Sequence, residues 1–94
     1  MKYFDWNEKK NIQLKEERNI SFEDMVIAID EGSLLDILKH QSKDRYPDQK
    51  IFVIEMHGYA YLVPFVEDNK KIFLKTIIPS RKATEQYIIK HKKK

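Results

Sequence analysis

The sequence predicts a small α+β domain with two N-terminal helices, a four-stranded and mainly antiparallel sheet, and one C-terminal helix. Two observations lead to this prediction. Apolar residues in the first third of the chain recur with helical spacing, whereas from Ser33 onward they recur at every second position, as in strands. A further helical segment follows the strands. The 94 residues are enough for a single domain, spanning 1–94, with one core.

The first predicted helix spans about Asn7 to Arg18. Asp5 is followed three residues later by Glu8, a spacing that resembles a capping box. Asn19 suits the left-handed conformation that ends many helices. The segment is polar with few apolar positions, so we expect this helix to lie on the surface.

The second predicted helix begins directly afterwards, where Ser21 and Asp24 provide a second start signal. Gly32 is expected to end it. Its apolar residues follow the i, i+3, i+4, i+7 spacing of one helix face; they are Phe22, Met25, Val26 and Ile29.

Four runs of alternating residues predict the strands. His57-Gly58 makes a tight reversal, and the last three runs form an antiparallel meander because their connections are short. Pro64 cannot donate a hydrogen bond to a ladder, so we expect a bulge or a free edge there. We expect the helices to cover one face and residues such as Tyr59, Tyr61 and Lys75, or their neighbours, to lie on the other. The runs are SLLDILK, KIFVIEMH, YAYLVPFV and KIFLKTII.

The meander predicts which residues share an end of the sheet. Lys50 opens the second run and Lys71 opens the fourth, so both belong to one end. His57, Tyr59 and Arg81 belong to the opposite end, where the second run ends and the fourth leads into the C-terminal helix.

Composition narrows the class of protein. The chain has no cysteine, which excludes disulfides and thiolate sites and fits a reducing compartment. It shows no secretory signal and no apolar run of membrane-spanning length, so we expect a cytoplasmic protein without a membrane partner. The net charge of +3 and the isoelectric point near 9.0 are compatible with weak nucleic-acid binding, but they do not establish it.

The sequence lacks the residue patterns that several kinds of active site require. The three histidines, His40, His57 and His91, are not at metal-ligand spacing, so we expect no metal and no cofactor. The serines show no nucleophile elbow. Two glycines are too few for a glycine-rich nucleotide loop.

The strand-to-helix segment IIPSRKATEQY predicts an anion site. Ser80 is placed as an N-cap, and Arg81 and Lys82 follow in the first helical turn. Cations there run against the helix dipole, which favours acidic residues. A helix N-terminus with a guanidinium would bind phosphate, although solvated first-turn residues would have the same sequence.

Other side chains have two interpretations each. His57 is either a turn residue or a general acid or base. Lys75 either extends to water or contacts phosphate. Tyr59 and Tyr87 either pack against the domain or, beside cations, stack on bases.

Three segments resemble the BrnT-type toxins of bacterial type II toxin–antitoxin systems: FDWNEKKN, RNISFED and IIPSRKAT, in the family's order and covering nearly the whole chain. The resemblance implies a fold similar to RelE-type ribonucleases and a ribonuclease that stops translation. It also implies a cognate antitoxin with a DNA-binding domain, which neutralises the toxin and reaches operator DNA.

The family's turn arginine falls on Arg81, and its second basic position, usually arginine, falls on Lys50. The chain departs from the family at residues 17–19, where Glu-Arg-Asn replaces the usual Lys-His-Gly. At Lys50 a point charge replaces a planar guanidinium, which binds phosphate differently.

The first hypothesis is a metal-independent endoribonuclease. Its predicted catalytic residues are Arg81, Lys50, His57 and Tyr87. Its predicted RNA-binding residues are Lys75, Lys82, Arg45 and Tyr59. The alternatives are a catalytically silent module that binds RNA or a partner protein, and an interaction domain that recognises an acidic protein segment.

Overall fold

A computed structural model of the chain describes residues 2–39 and 49–90. The strands are β1 (Tyr3–Trp6), β2 (Leu34–Lys39), β3 (Lys50–Met56), β4 (Tyr59–Glu67), β5 (Lys71–Leu74) and β6 (Ile78–Pro79). The helices are α1 (Glu8–Arg18), α2 (Phe22–Asp30) and α3 (Arg81–Ala83), and α3 continues into a π-helical segment (Thr84–Ile89). Together, α3 and the π-helical segment form the C-terminal helix.

Across the described residues the sheet is mixed and has six strands, in the order β1-β5-β4-β3-β2, with β6 also paired to β4. The α+β class is confirmed, but the predicted count of four strands and the helical start of the chain are wrong. The missed strand, β1, pairs in parallel with β5. It is held there by Trp6, whose ring stacks on Phe22 at 5.7 Å between ring centroids.

The predicted fourth strand is divided into β5 and β6, which pair with successive parts of β4. Phe65 faces Leu74 and Tyr61 faces Pro79, so the two registers differ by one residue. The extra residue forms a bulge at residues 76–77. It lies opposite Pro64, whose carbonyl accepts the Lys75 amide at 2.8 Å. Pro64 is also in register with Ile51 of β3, so the bulge or free edge predicted in its own strand is absent from the described β4, and the irregularity lies in the neighbouring strand.

The helix ends follow local capping signals. Asn7, and not Asp5, caps α1, because the Asn7 side chain accepts the Lys10 amide at 3.1 Å. The predicted left-handed stop at Asn19 is confirmed, with φ of 54°. The capping box that begins α2 is also confirmed: Ser21 and Asp24 exchange backbone and side-chain hydrogen bonds.

Helices cover both faces of the sheet, which corrects the prediction that they share one. On one face, α1 and α2 pack through residues such as Leu14, Phe22 and Met25. On the other, the C-terminal helix packs Ala83 and Ile88 against the sheet. Phe52, Ile54, Val63 and Phe65 belong to the first core, and Val53 and Ala60 to the second.

The prediction left open whether Tyr61 or its neighbours face away from α1 and α2; Tyr61 packs against the core under these helices. Tyr59 lies on the same face two residues earlier, with its ring 5.7 Å from that of Tyr61. Within residues 2–39 and 49–90, no helix has the length and apolar character needed to cross a membrane.

Candidate functional site

The strand-to-helix turn is held by two hydrogen bonds of Ser80. Ser80 caps the helix, since its hydroxyl accepts the Ala83 amide at 3.1 Å. The Ser80 amide donates to the Ala60 carbonyl at 3.0 Å, which fixes the turn to β4. Arg81 and Lys82 follow this cap and are exposed. Among the described residues, neither takes part in an ion pair.

Buried Thr84 fastens the same turn from inside. Its hydroxyl accepts the Ala60 amide at 2.8 Å and donates to the Ser80 carbonyl at 2.7 Å. Only 6% of Thr84 is exposed, so water does not compete for these bonds. The backbone that carries Arg81 and Lys82 is therefore firmly attached to β4, the central strand of the sheet.

Beside this turn lies the helix–sheet groove, a recess of about 450 Å³ between the C-terminal helix and the sheet. Its floor is apolar and takes one residue from each of three strands, namely Leu38, Ile51 and Leu62. Its wall is formed by residues of the C-terminal helix, namely Lys82, Ala83, Gln86 and Tyr87. Of the described residues that line the groove, none is acidic.

The hydroxyl of Tyr87 is already engaged. It donates a hydrogen bond of 2.7 Å to Oδ2 of Asp36 on β2. This bond, together with partial burial and the negative charge of Asp36, raises the pKa of Tyr87 above its ordinary value. At neutral pH Tyr87 therefore keeps its proton and acts as a hydrogen-bond donor.

His57 belongs to a different recess. The β3–β4 reversal is confirmed as a tight turn, with φ of 56° at His57 and 77° at Gly58. His57 lines a recess of about 510 Å³ together with Asp24, Glu31 and Glu55. Carboxylates would repel a phosphate here. Among the described residues, no group of histidine and acidic side chains has the arrangement of a metal site.

Lys50 lies far from Arg81. Lys50 is level with Phe65 on β4, whereas the Arg81 turn is bonded to Ala60, five residues away. That separation is about 17 Å along the strand. Lys50 also pairs with Glu67 at 3.2 Å, and Lys2 pairs with the same carboxylate at 2.8 Å. Because Lys2 and then Lys50 donate hydrogen bonds to it, Glu67 has a lowered pKa.

The remaining predicted RNA contacts are dispersed. Lys75 is exposed at the β5 end of the bulge. Tyr59 is half-buried on the face that carries α1 and α2. Arg45 lies outside the described residues, as do His40 and His91.

Three predicted site residues, Arg81, Lys82 and Tyr87, share the C-terminal helix, and the last two line one groove. Sequence reasoning missed Gln86 and Asp36. The spacing of four residues between Lys82 and Gln86 would have placed Gln86 on the same helix face. Asp36 carried no local signal, because its partner Tyr87 is 51 residues away.

Comparisons of the chain with protein-family models, with curated proteins and with solved structures find no match. Function must therefore be inferred from the site itself. Its chemistry combines two exposed cations on a fixed turn with an adjoining groove that is apolar below and polar at its wall.

Proposed function

We propose that this chain is the toxin of a bacterial type II toxin–antitoxin system, with a RelE-like fold, and that it cleaves RNA in the cytoplasm without a metal ion. The observation that carries this proposal is the hydrogen-bonded turn that presents Arg81 and Lys82 beside a groove whose described lining contains no acidic residue. The resemblance of three segments to BrnT-type toxins is the reason for proposing that the anion bound at this turn is RNA.

Metal-independent RNA cleavage begins when a 2′-oxygen attacks the adjacent phosphorus. The bond from phosphorus to the 5′-oxygen then breaks, leaving a 2′,3′-cyclic phosphate and a 5′-hydroxyl. One proton leaves the 2′-hydroxyl and another reaches the 5′-oxygen. Negative charge builds on the phosphorane, and the Arg81 guanidinium is the group proposed to stabilise it.

Lys82 is proposed to hold the same phosphate or the next one, since it follows Arg81 directly. Lys50 and Lys75 are proposed to hold more distant phosphates. At about 17 Å from the turn along the strand, Lys50 would meet RNA several nucleotides away and only in competition with Glu67.

The partner proposed for this surface is a cognate antitoxin, through which operator DNA would be bound. An antitoxin that covers the Arg81 turn would block substrate phosphates directly. Acidic side chains on the antitoxin would suit the unpaired cations there.

A second candidate function, RNA binding without cleavage, is favoured by the state of the proton-transfer groups. The Tyr87 hydroxyl donates a hydrogen bond to Asp36. Because the pKa of Tyr87 is raised, the phenol keeps its proton at neutral pH and cannot accept another one as a base. His57 lies in the separate acidic recess. The described residues of the groove thus provide no evident acid–base pair.

The test is a cleavage assay with purified protein in EDTA, comparing the wild type with Arg81→Ala. We expect the wild type to cleave RNA and Arg81→Ala to be slower by about 10²–10³-fold, because one preorganised charge partner of the phosphorane is lost. Lys9→Ala is the matched control: it removes one exposed cation from α1, on the other side of the sheet.

Equal cleavage by the wild type and Arg81→Ala would contradict the proposed role of Arg81. Tight RNA binding with no cleavage by the wild type would establish the second candidate. A protein that neither binds nor cleaves RNA, and binds only acidic peptides in a salt-sensitive manner, would overturn both.

A further inference from the structure

The C-terminal helix leaves part of its sheet face uncovered. Beneath the helix, Val53 and Ala60 are completely buried. The floor residues of the helix–sheet groove, Leu38, Ile51 and Leu62, are only half-buried, although they lie on the same face. The uncovered strip is therefore an accessible apolar floor next to a polar helix wall.

The groove differs in charge from the recess at the β3–β4 turn. The recess that contains His57 is lined by Asp24, Glu31 and Glu55. The described lining of the groove contains Lys39 and Lys82 and no carboxylate, and the adjoining carboxylate of Asp36 is hydrogen-bonded to the hydroxyl of the lining residue Tyr87. A ligand with an apolar body and a negative charge fits the groove and is repelled from the other recess.

Gln86 adds hydrogen-bonding capacity to this wall. Its amide can donate and accept, as can the edge of a nucleobase. Gln86 is exposed and has no hydrogen-bond partner among the described residues. Lys82 is four residues earlier on the wall, where an ammonium would meet the phosphate attached to a base lying on the floor.

We infer that the helix–sheet groove binds one unstacked nucleotide of single-stranded RNA, with the base on Leu38, Ile51 and Leu62 and its phosphate at Lys82. A base in a duplex is stacked and paired, so it cannot enter a recess of this kind. The inference rests on the proposed function, since it specifies that the RNA substrate is single-stranded at this site.

The experiment measures binding separately from cleavage. The probe is a fluorescent eight-nucleotide 2′-O-methyl RNA, which lacks the attacking hydroxyl and stays intact. Its affinity is compared by fluorescence anisotropy with that of the same strand in a perfect duplex. We expect the single strand to bind about tenfold more tightly, since stacking and apolar contact with a free base are lost in the duplex.

Gln86→Glu tests the location. The substitution keeps the size of an exposed side chain and brings a negative charge to the groove, so we expect about tenfold weaker binding of the single strand. Gln13→Glu is the matched control, with the same change of charge at an exposed position of α1. Circular dichroism and thermal unfolding of both variants establish that they are folded.

Equal affinity for the single strand and the duplex, or equal loss in both glutamate variants, would overturn the inference. If the wild type cleaves RNA but shows either of these two results, the proposed function stands and the base binds outside the helix–sheet groove. Absence of both binding and cleavage would remove the inference together with the proposed function.

Discussion

Asp36 determines what Tyr87 can do chemically. The phenol donates to a carboxylate that lies on β2, and the pKa of Tyr87 is raised as a result. A group whose pKa is raised in the folded state holds its proton more tightly there than in the unfolded chain. The protonated phenol then stabilises the folded protein fully at pH values below the ordinary tyrosine pKa of 10.0. This stabilisation is lost as the pH rises through the pKa that Tyr87 has in the folded protein.

Tyr87→Phe should therefore lower the free energy of unfolding by about 1 kcal/mol at pH 8, because one hydrogen bond to a carboxylate is lost. The difference from the wild type should shrink above pH 10. Urea unfolding followed by fluorescence of the single tryptophan, Trp6, measures it. Tyr3→Phe is the control, since Tyr3 is 58% exposed. A difference that is constant from pH 8 to pH 11 would contradict the assigned hydrogen bond.

At the scale of elements, one buried hydroxyl, that of Thr84, contributes to the join between the C-terminal helix and β4. Thr84→Val keeps the shape of the side chain but leaves the Ala60 amide without its bond. We expect a loss of about 1–3 kcal/mol in the free energy of unfolding, since a buried amide would be left unsatisfied. Chemical denaturation measures this loss.

Thr76→Val is the control for Thr84→Val, because Thr76 is half-buried and its hydroxyl makes no hydrogen bond to the other described residues. If both valine variants lose the same stability, the hydroxyl of Thr84 does not fasten the helix.

Elements with local signals were predictable from the sequence, and elements that depend on distant pairing were not. Asn19 and the Ser21–Asp24 capping box act within a few residues, so their sequence pattern is sufficient. β1 has only four residues and forms through pairing with residues 71–74. The bulge at residues 76–77 shifts the register of β6, so alternation alone could not give the face on which the C-terminal helix lies.

At the scale of the whole molecule, the predicted basic residues that the structure describes do not form one surface. Lys50 is paired with Glu67 about 17 Å along the strand from the Arg81 turn, while Arg81 and Lys82 remain without ion pairs among the described residues. The predicted separation of Lys50 and Arg81 at opposite ends agrees with this placement. Joining Tyr87 to Lys82 in one groove required the three-dimensional packing of the C-terminal helix on three strands.

This separation predicts a weak salt dependence of RNA binding. If Arg81 and Lys82 engage two phosphates, the logarithm of the association constant should fall with the logarithm of salt concentration with a slope of about −1.4, and further phosphates at Lys50 and Lys75 would bring it to about −2.8. Titrations with a single-stranded probe at several salt concentrations give the slope, and Lys82→Gln should make it shallower. A slope several times steeper would indicate a broad basic surface and contradict binding centred on the turn.

The parallel pairing of β1 with β5 also sets the order in which the chain can complete its structure during synthesis. At 5–20 residues per second, Lys71 is made roughly 3–13 s after Trp6. During that interval β1 has no strand to pair with. The Arg81 turn is made later still, so the proposed RNA-cleaving centre would be assembled only after all six described strands have been translated.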